Sequence, residues 1–172
     1  MTAAASQPDG ITLYTVVLLK HAGRYLLLRR ADTKPFAPGR WTGIGGKVEP
    51  DELGHLQAAA LRELDEETGI RLHDVQHFAL RRVLLHTRDD STLTILLYFT
   101  GELAQTILPP CSEGTLAWVT PEGLPALDVI DSTRPVLPLL IDDLARDPLG
   151  REHVRLGVSR QCAGTIVQLA WV

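Results

Sequence analysis

The chain has 172 residues, 45% apolar and 22% charged, with 17 Lys and Arg against 21 Asp and Glu for a formal net charge of −4. That is the profile of one domain burying roughly 70% of its unfolded-chain surface, and it excludes disordered and fibrous classes. The acidic balance also excludes a nucleic-acid coat held by charge alone, and no apolar run approaches the ~20 residues of a membrane span.

In chain order, the N-terminal MTAAASQPDG lacks the basic and long apolar regions of a secretory signal, so a cytoplasmic protein with a flexible segment 1–10 is expected. After the Pro8-Asp9-Gly10 turn, Ile11 to Lys20 reads as a buried strand, and Tyr25 to Arg30 as its hairpin partner. Residues 31–40, with two prolines and a glycine, read as a loop. Trp41 to Val48 carries Gly43, Gly45 and Gly46, which lets backbone approach a ligand closely. A helix is predicted from about Leu53 to Thr68, closed by Gly69. Strands at His77–His86 and Thr92–Glu102, joined by Arg88-Asp89-Asp90-Ser91, follow, then a short strand at Leu116–Val119. Pro135 to Arg146 forms a helical pattern with Leu137, Leu140, Ile141 and Leu144 on one face. Glu152–Val158 and Thr165–Val172 suit a closing hairpin. Strands flanking a helix, with another helix late, give an α/β layered domain. Cys111 and Cys162 make neither a disulfide framework nor a metal-site spacing, so free thiols are expected.

The informative segment is Arg62-Glu63-Leu64-Asp65-Glu66-Glu67-Thr68-Gly69. Residues three and four apart are neighbours on a helix, so Glu63, Glu66 and Glu67 share a face while Leu61 and Leu64 turn to the core. Like charges at that spacing cost roughly 0.2–0.5 kcal/mol per pair, and the negative helix end disfavours each by roughly 0.3–1 kcal/mol. Only Arg62, four residues before Glu66, offers relief within the helix. A solvated acidic face is one account. Mg²⁺ binding is the other, because that ion seeks hard carboxylate oxygens together with phosphate oxygens and would turn the repulsion into attraction.

With the glycine run just upstream, this segment resembles the Nudix hydrolase signature. Gly46 is followed after five residues by Glu52, and the second half stands intact as Arg62 to Ile70. Nine residues, rather than the signature's seven, separate Glu52 from Arg62, so the entering loop is two residues longer, around Leu53-Gly54-His55. Tyr14-Thr15 with Val16-Val17-Leu18, Phe36 with Gly39-Arg40-Trp41, and Gly45-Gly46-Lys47-Val48 resemble the branch that removes oxidised purine nucleoside triphosphates.

The resemblance implies an α/β/α sandwich with a central mixed sheet, spanning 11–172 as one domain. It implies Mg²⁺, with Mn²⁺ as a substitute, held by Glu63, Glu66, Glu67 and the Gly46 carbonyl, with Glu113 a further ligand or base. Arg62 would orient a carboxylate, and Glu52, Glu66 or Glu113 would be the general base. The partner implied is a small-molecule nucleotide, with neither nucleic acid nor membrane. Phe36, Thr42, Lys47 and Asp131 would meet the substrate, although Phe36 suits a core position equally. Thr42 replaces the branch's Asn, and Asp131 stands alone where the branch has paired aspartates. The products would be a nucleoside monophosphate and pyrophosphate. The alternatives are a nucleoside diphosphate linked to another group, such as ADP-ribose, and an inactive binding module.

Elsewhere, Arg29-Arg30 and Arg81-Arg82 read as solvated strand ends with phosphate contact as the rival account, and Trp118 reads as core. The six histidines are scattered, and no histidine metal site is expected from them.

Overall fold

The computed structural model describes residues 10–88, 92–104, 108 and 110–172. The flexible segment expected at 1–10 falls outside them up to residue 9, as does the turn expected at Arg88-Asp89-Asp90-Ser91 from Asp89 onward.

Among the described residues, eight strands make one mixed sheet: β1 (Ile11–His21), β2 (Arg24–Arg30), β3 (Trp41–Thr42), β4 (Val75–Thr87), β5 (Leu93–Leu103), β6 (Gly114–Val119), β7 (Arg155–Cys162) and β8 (Thr165–Trp171). The order is β3-β2-β1-β5-β4-β7-β8, with β6 beside β2. β1 and β5 run parallel, as do β4 and β7, and the other pairs are antiparallel.

Uninterrupted apolar runs in β1, β2 and β5 put side chains into a layer on each face. Val17, Leu19, Leu26, Leu28, Leu97 and Phe99 join Ala59, Ala60 and Leu64 of α1 (Leu56–Thr68) on one side. Val16, Leu18, Leu27, Leu96 and Tyr98 join Leu137, Leu140 and Leu144 of α2 (Leu137–Arg146) on the other. The α/β/α sandwich is thus present.

α1 begins at Leu56, three residues later than expected. The chain first makes a 3-10 turn at Pro50–Glu52, and His55 then donates its N–H to Glu52 while its own backbone (φ −140°, ψ 52°) is not helical. The lengthened loop is absorbed there, ahead of the acidic turns. Gly69 closes the helix in the left-handed region (φ 72°), its N–H on the Asp65 carbonyl.

Arg81 and Arg82 are not solvated strand ends. A register shift between Leu80 and Arg82 lies in this stretch of β4, and both side chains are buried. Arg82 donates twice to Asp143 (2.6 and 2.8 Å) and lies over the Trp171 ring, while Arg81 donates to Asp147 (2.8 Å) and Thr100 (2.7 Å). A sequence reading counts two adjacent charges; the fold supplies their counter-ions from α2 and its C-terminal end, about sixty residues away. Trp118 packs partly buried against the α1-side core, and the cysteines are free and half-buried.

Candidate active site

Burial of Ala59, Ala60 and Leu64 presses α1 onto the sheet and turns Glu63 and Glu67 toward the glycine-rich loop. That loop hugs β1: Ile44 exchanges two backbone hydrogen bonds with Val17, and Gly46 accepts the Thr15 N–H at 2.9 Å. Gly45 sits at φ 145°, and a Cβ there would run into the Thr15 carbonyl. A Cβ on Gly46 would meet the Glu63 carboxylate, which would have to swing away from the loop to admit it.

Arg62 organises the carboxylates. It donates Nε and Nη2 to the two oxygens of Glu52 (2.6 and 2.8 Å), and Nη1 to Glu63 and Glu66 (both 2.9 Å). Its Nη2 also reaches the Lys47 carbonyl at 3.2 Å. The guanidinium, with the Glu49 N–H, pulls the Glu52 carboxyl down to about 2. Glu63 moves the other way: burial raises its pKa and Glu66 and Glu52 reinforce this, against Arg62. Glu67 accepts the Gly45 N–H at 3.2 Å, and burial, reinforced by Glu113 and Glu63, pushes its pKa up to about 7.

Glu113, in the turn before β6, forms an ion pair with Lys34 of the 31–40 loop at 2.6 Å. The same two segments are stitched by the Ala31 N–H on the Glu113 carbonyl, and the Ser112 N–H meets the Glu67 carbonyl. Glu52, Glu63, Glu66, Glu67 and Glu113, dispersed over 62 positions of sequence, are thereby linked to one another through Arg62 and through mutual electrostatic repulsion.

Placement of the remaining candidates is mixed. Phe36 is about half exposed, which removes the core reading, and its ring lies 5.9 Å from the Arg30 guanidinium and 5.6 Å from that of Arg88. Arg30 also lies near enough to Glu67 to lower its pKa. Lys47 is exposed. Thr42 is buried in β3. Asp131 is occupied by Arg40, which takes both carboxylate oxygens (2.9 and 3.1 Å) as well as Asp128. The Gly46 carbonyl accepts the Thr15 N–H of β1, and the neighbouring Gly45 N–H donates to Glu67. Arg40, Lys34 and Arg88 are site cations that sequence reasoning did not single out; only the fold brings them to Asp131, Glu113 and Phe36.

The sequence model of the NUDIX domain matches residues 13–140. The chain belongs to the Nudix family. Nucleoside triphosphatase NudI of Salmonella newport (strain SL254) is 31% identical to this Nudix chain over 130 residues, covering 71% of it and 91% of NudI. A MutT protein from Bacillus halodurans superimposes with a TM-score of 0.68 at 19% identity, over 93% of this chain and 97% of that one. A bifunctional NMN adenylyltransferase/ADP ribose pyrophosphatase from Francisella tularensis, complexed with AMP and a Mn ion, superimposes with a TM-score of 0.61 at 19% identity. That likeness covers 81% of this chain and 43% of that protein. The Nudix hydrolase assignment therefore rests on the signature, the fold and the relatives together.

Among the described residues, no three His, Cys, Asp or Glu side chains converge on a ready-made metal position. Arg62 and Lys34 occupy oxygens of Glu52, Glu63, Glu66 and Glu113. The donor set still fits a hard divalent ion. It is all carboxylate oxygen, it carries more negative charge than Arg62 and Lys34 neutralise, and Gly46 leaves a cradle beside Glu63 that a Cβ would fill.

Proposed function

We propose that this Nudix hydrolase cleaves a nucleoside triphosphate to the monophosphate and pyrophosphate in the presence of Mg²⁺ or Mn²⁺. The observation that carries the reading is the apposition of Glu63 and Glu67 to the Gly45-Gly46 loop, two desolvated carboxylates at a helix end with too few cations of their own. Glu63, Glu66, Glu67 and Glu113 would hold the ion, which supplies neutralisation of the phosphate chain and an acidified water.

The residues of the chain do the rest. Arg62 fixes the direction of Glu63 and Glu66, and Glu52 anchors Arg62 as a bidentate partner. A carboxyl held near 2 and bonded through both oxygens is a poor proton acceptor, which leaves Glu66 and Glu113 as candidates for the general base. Phe36, about half exposed with the Arg30 and Arg88 guanidiniums over its ring, puts an aromatic surface for a base and two cations for phosphate in one place. The 31% identity to a nucleoside triphosphatase favours a triphosphate over ADP-ribose. An oxidised purine such as 8-oxo-dGTP remains within the proposed class.

The test is a panel of ordinary, oxidised and methylated triphosphates beside ADP-ribose, read by kcat/KM and by product. Pyrophosphate release is expected; sugar-phosphate release from ADP-ribose, with triphosphates inert, would overturn the proposal. Metal binding has its own readout. At a Mg²⁺ concentration 100 times Kd, the folded state gains about 2.7 kcal/mol, so Tm is expected to rise by roughly 5–10 °C. No rise at millimolar Mg²⁺, with or without nucleotide, would remove the metal from the reading.

A further inference from the structure

The pairing of Lys34 with Glu113 carries an inference that rests on the proposed function and deepens it. The two side chains meet at 2.6 Å, each about one-quarter exposed, where the 31–40 loop crosses the turn before β6. Backbone bonds hold both ends in register: the Lys34 N–H on the Ala31 carbonyl, and the Ala31 N–H on the Glu113 carbonyl. Glu113 is electrostatically coupled to Glu67, and the groups coupled to this corner also include Glu63, Arg30 and Cys111. Lys34 therefore neutralises the one carboxylate of the cluster that Arg62 does not reach apart from Glu67, and Glu67 has a backbone N–H in place of a cation.

We propose that Lys34 is an exchangeable counter-ion: it holds Glu113 in the ion-free protein and passes to the phosphate chain of the substrate when a divalent ion takes Glu113. The chemistry of the side chain suits the exchange. A lysine ammonium is a compact point charge on a flexible four-carbon stem, able to rotate three donors from one anion to another without a fixed fork geometry. Lys34 lies two residues before Phe36 in the same loop, so the proposed base contact and the released ammonium come from one segment. In the fully assembled site no carboxylate would be left without a cation, and Lys34 would not face one.

The role makes two opposite predictions for one variant, Lys34→Met, in the full chain. Mn²⁺ binding without nucleotide, followed by the EPR signal of free Mn²⁺, is expected to tighten by roughly 3- to 10-fold, because the ion no longer competes with the ammonium for Glu113. KM for the triphosphate at saturating Mn²⁺ is expected to rise by roughly 10-fold or more, with kcat changed far less, because a charge-assisted contact to phosphate is lost. A residue that only braced the loop would weaken both. Glu113→Gln is the second variant: it frees Lys34, so Mn²⁺ binding is expected to weaken while affinity for a non-hydrolysable α,β-methylene triphosphate is kept.

Tighter Mn²⁺ together with a raised KM supports the exchange. Unchanged or weaker Mn²⁺ binding by Lys34→Met, or an unchanged KM, overturns it. Should the wild-type chain hydrolyse no triphosphate, the proposed function fails by itself, since Mn²⁺ titration and analogue binding still report on Lys34.

Discussion

Glu67→Gln is expected to melt higher than the wild-type chain in chelator at pH 8, and to have lost hydrolysis by roughly 100-fold or more. The two effects share one cause. Glu67 is held in a largely desolvated place beside Gly45, with Glu113 and Glu63 adding repulsion, so its pKa stands at about 7 against an ordinary 4.5. A folded-state pKa raised in this way stabilises the fold fully below the unfolded value of 4.5, and that stability is lost as pH rises toward 7. Above pH 7 the wild-type protein must keep an unfavourable anion in place, at a cost of about 3 kcal/mol.

Glutamine keeps an acceptor for the Gly45 N–H and removes the charge. The Tm difference between variant and wild type should be near zero at pH 4.5, grow toward pH 7 and stay level above it, reaching roughly 6–12 °C. Saturating Mg²⁺ should reverse the order, raising the wild type and leaving Glu67→Gln unmoved. A variant that melts no higher than the wild type at pH 8 in chelator, or one that keeps its turnover, would show that this carboxylate is not held at the site for metal.

The largest loss of stability is expected far from the chemistry, at Asp143→Asn. Arg82 and Asp143 are almost wholly buried and joined by two hydrogen bonds, with Arg146 donating a third to Asp143 at 2.8 Å and the Trp171 ring under the Arg82 guanidinium. Removing the anion leaves a buried cation without its partner, a loss of about 3–5 kcal/mol. For a chain of this size that is a drop in Tm of roughly 6–20 °C. The pair itself is not intrinsically superior to apolar packing, because desolvating both ions offsets most of their attraction. The double variant Arg82→Met with Asp143→Leu is therefore expected to recover most of the loss, and kcat at 25 °C should be unchanged in all three proteins. A thermal scan settles it: a loss below about 1 kcal/mol for Asp143→Asn, or no recovery in the double variant, contradicts the account.

These two sites differ in how far they were legible beforehand. Glu63, Glu66 and Glu67 announce themselves because helical spacing alone makes neighbours of them, and Arg62 lies one turn from Glu66. Both sheet layers are equally legible, since an apolar run such as Val16 to Leu19 has to be buried on both faces of a strand. The helix start was displaced by three residues because backbone geometry at His55 outweighs the apolar pattern at Leu53.

Local pattern was thus enough to establish two helices, the strands other than β3 and the acidic turn, because each depends on residues within a few positions of one another. Which charges answer which was a matter of folding. Lys34 meets Glu113, Arg40 meets Asp131 and Arg82 meets Asp143 across separations of 79, 91 and 61 residues. A side chain's counter-ion at such a distance depends on strand order and on a register shift in β4, and periodicity in a sequence carries no record of either.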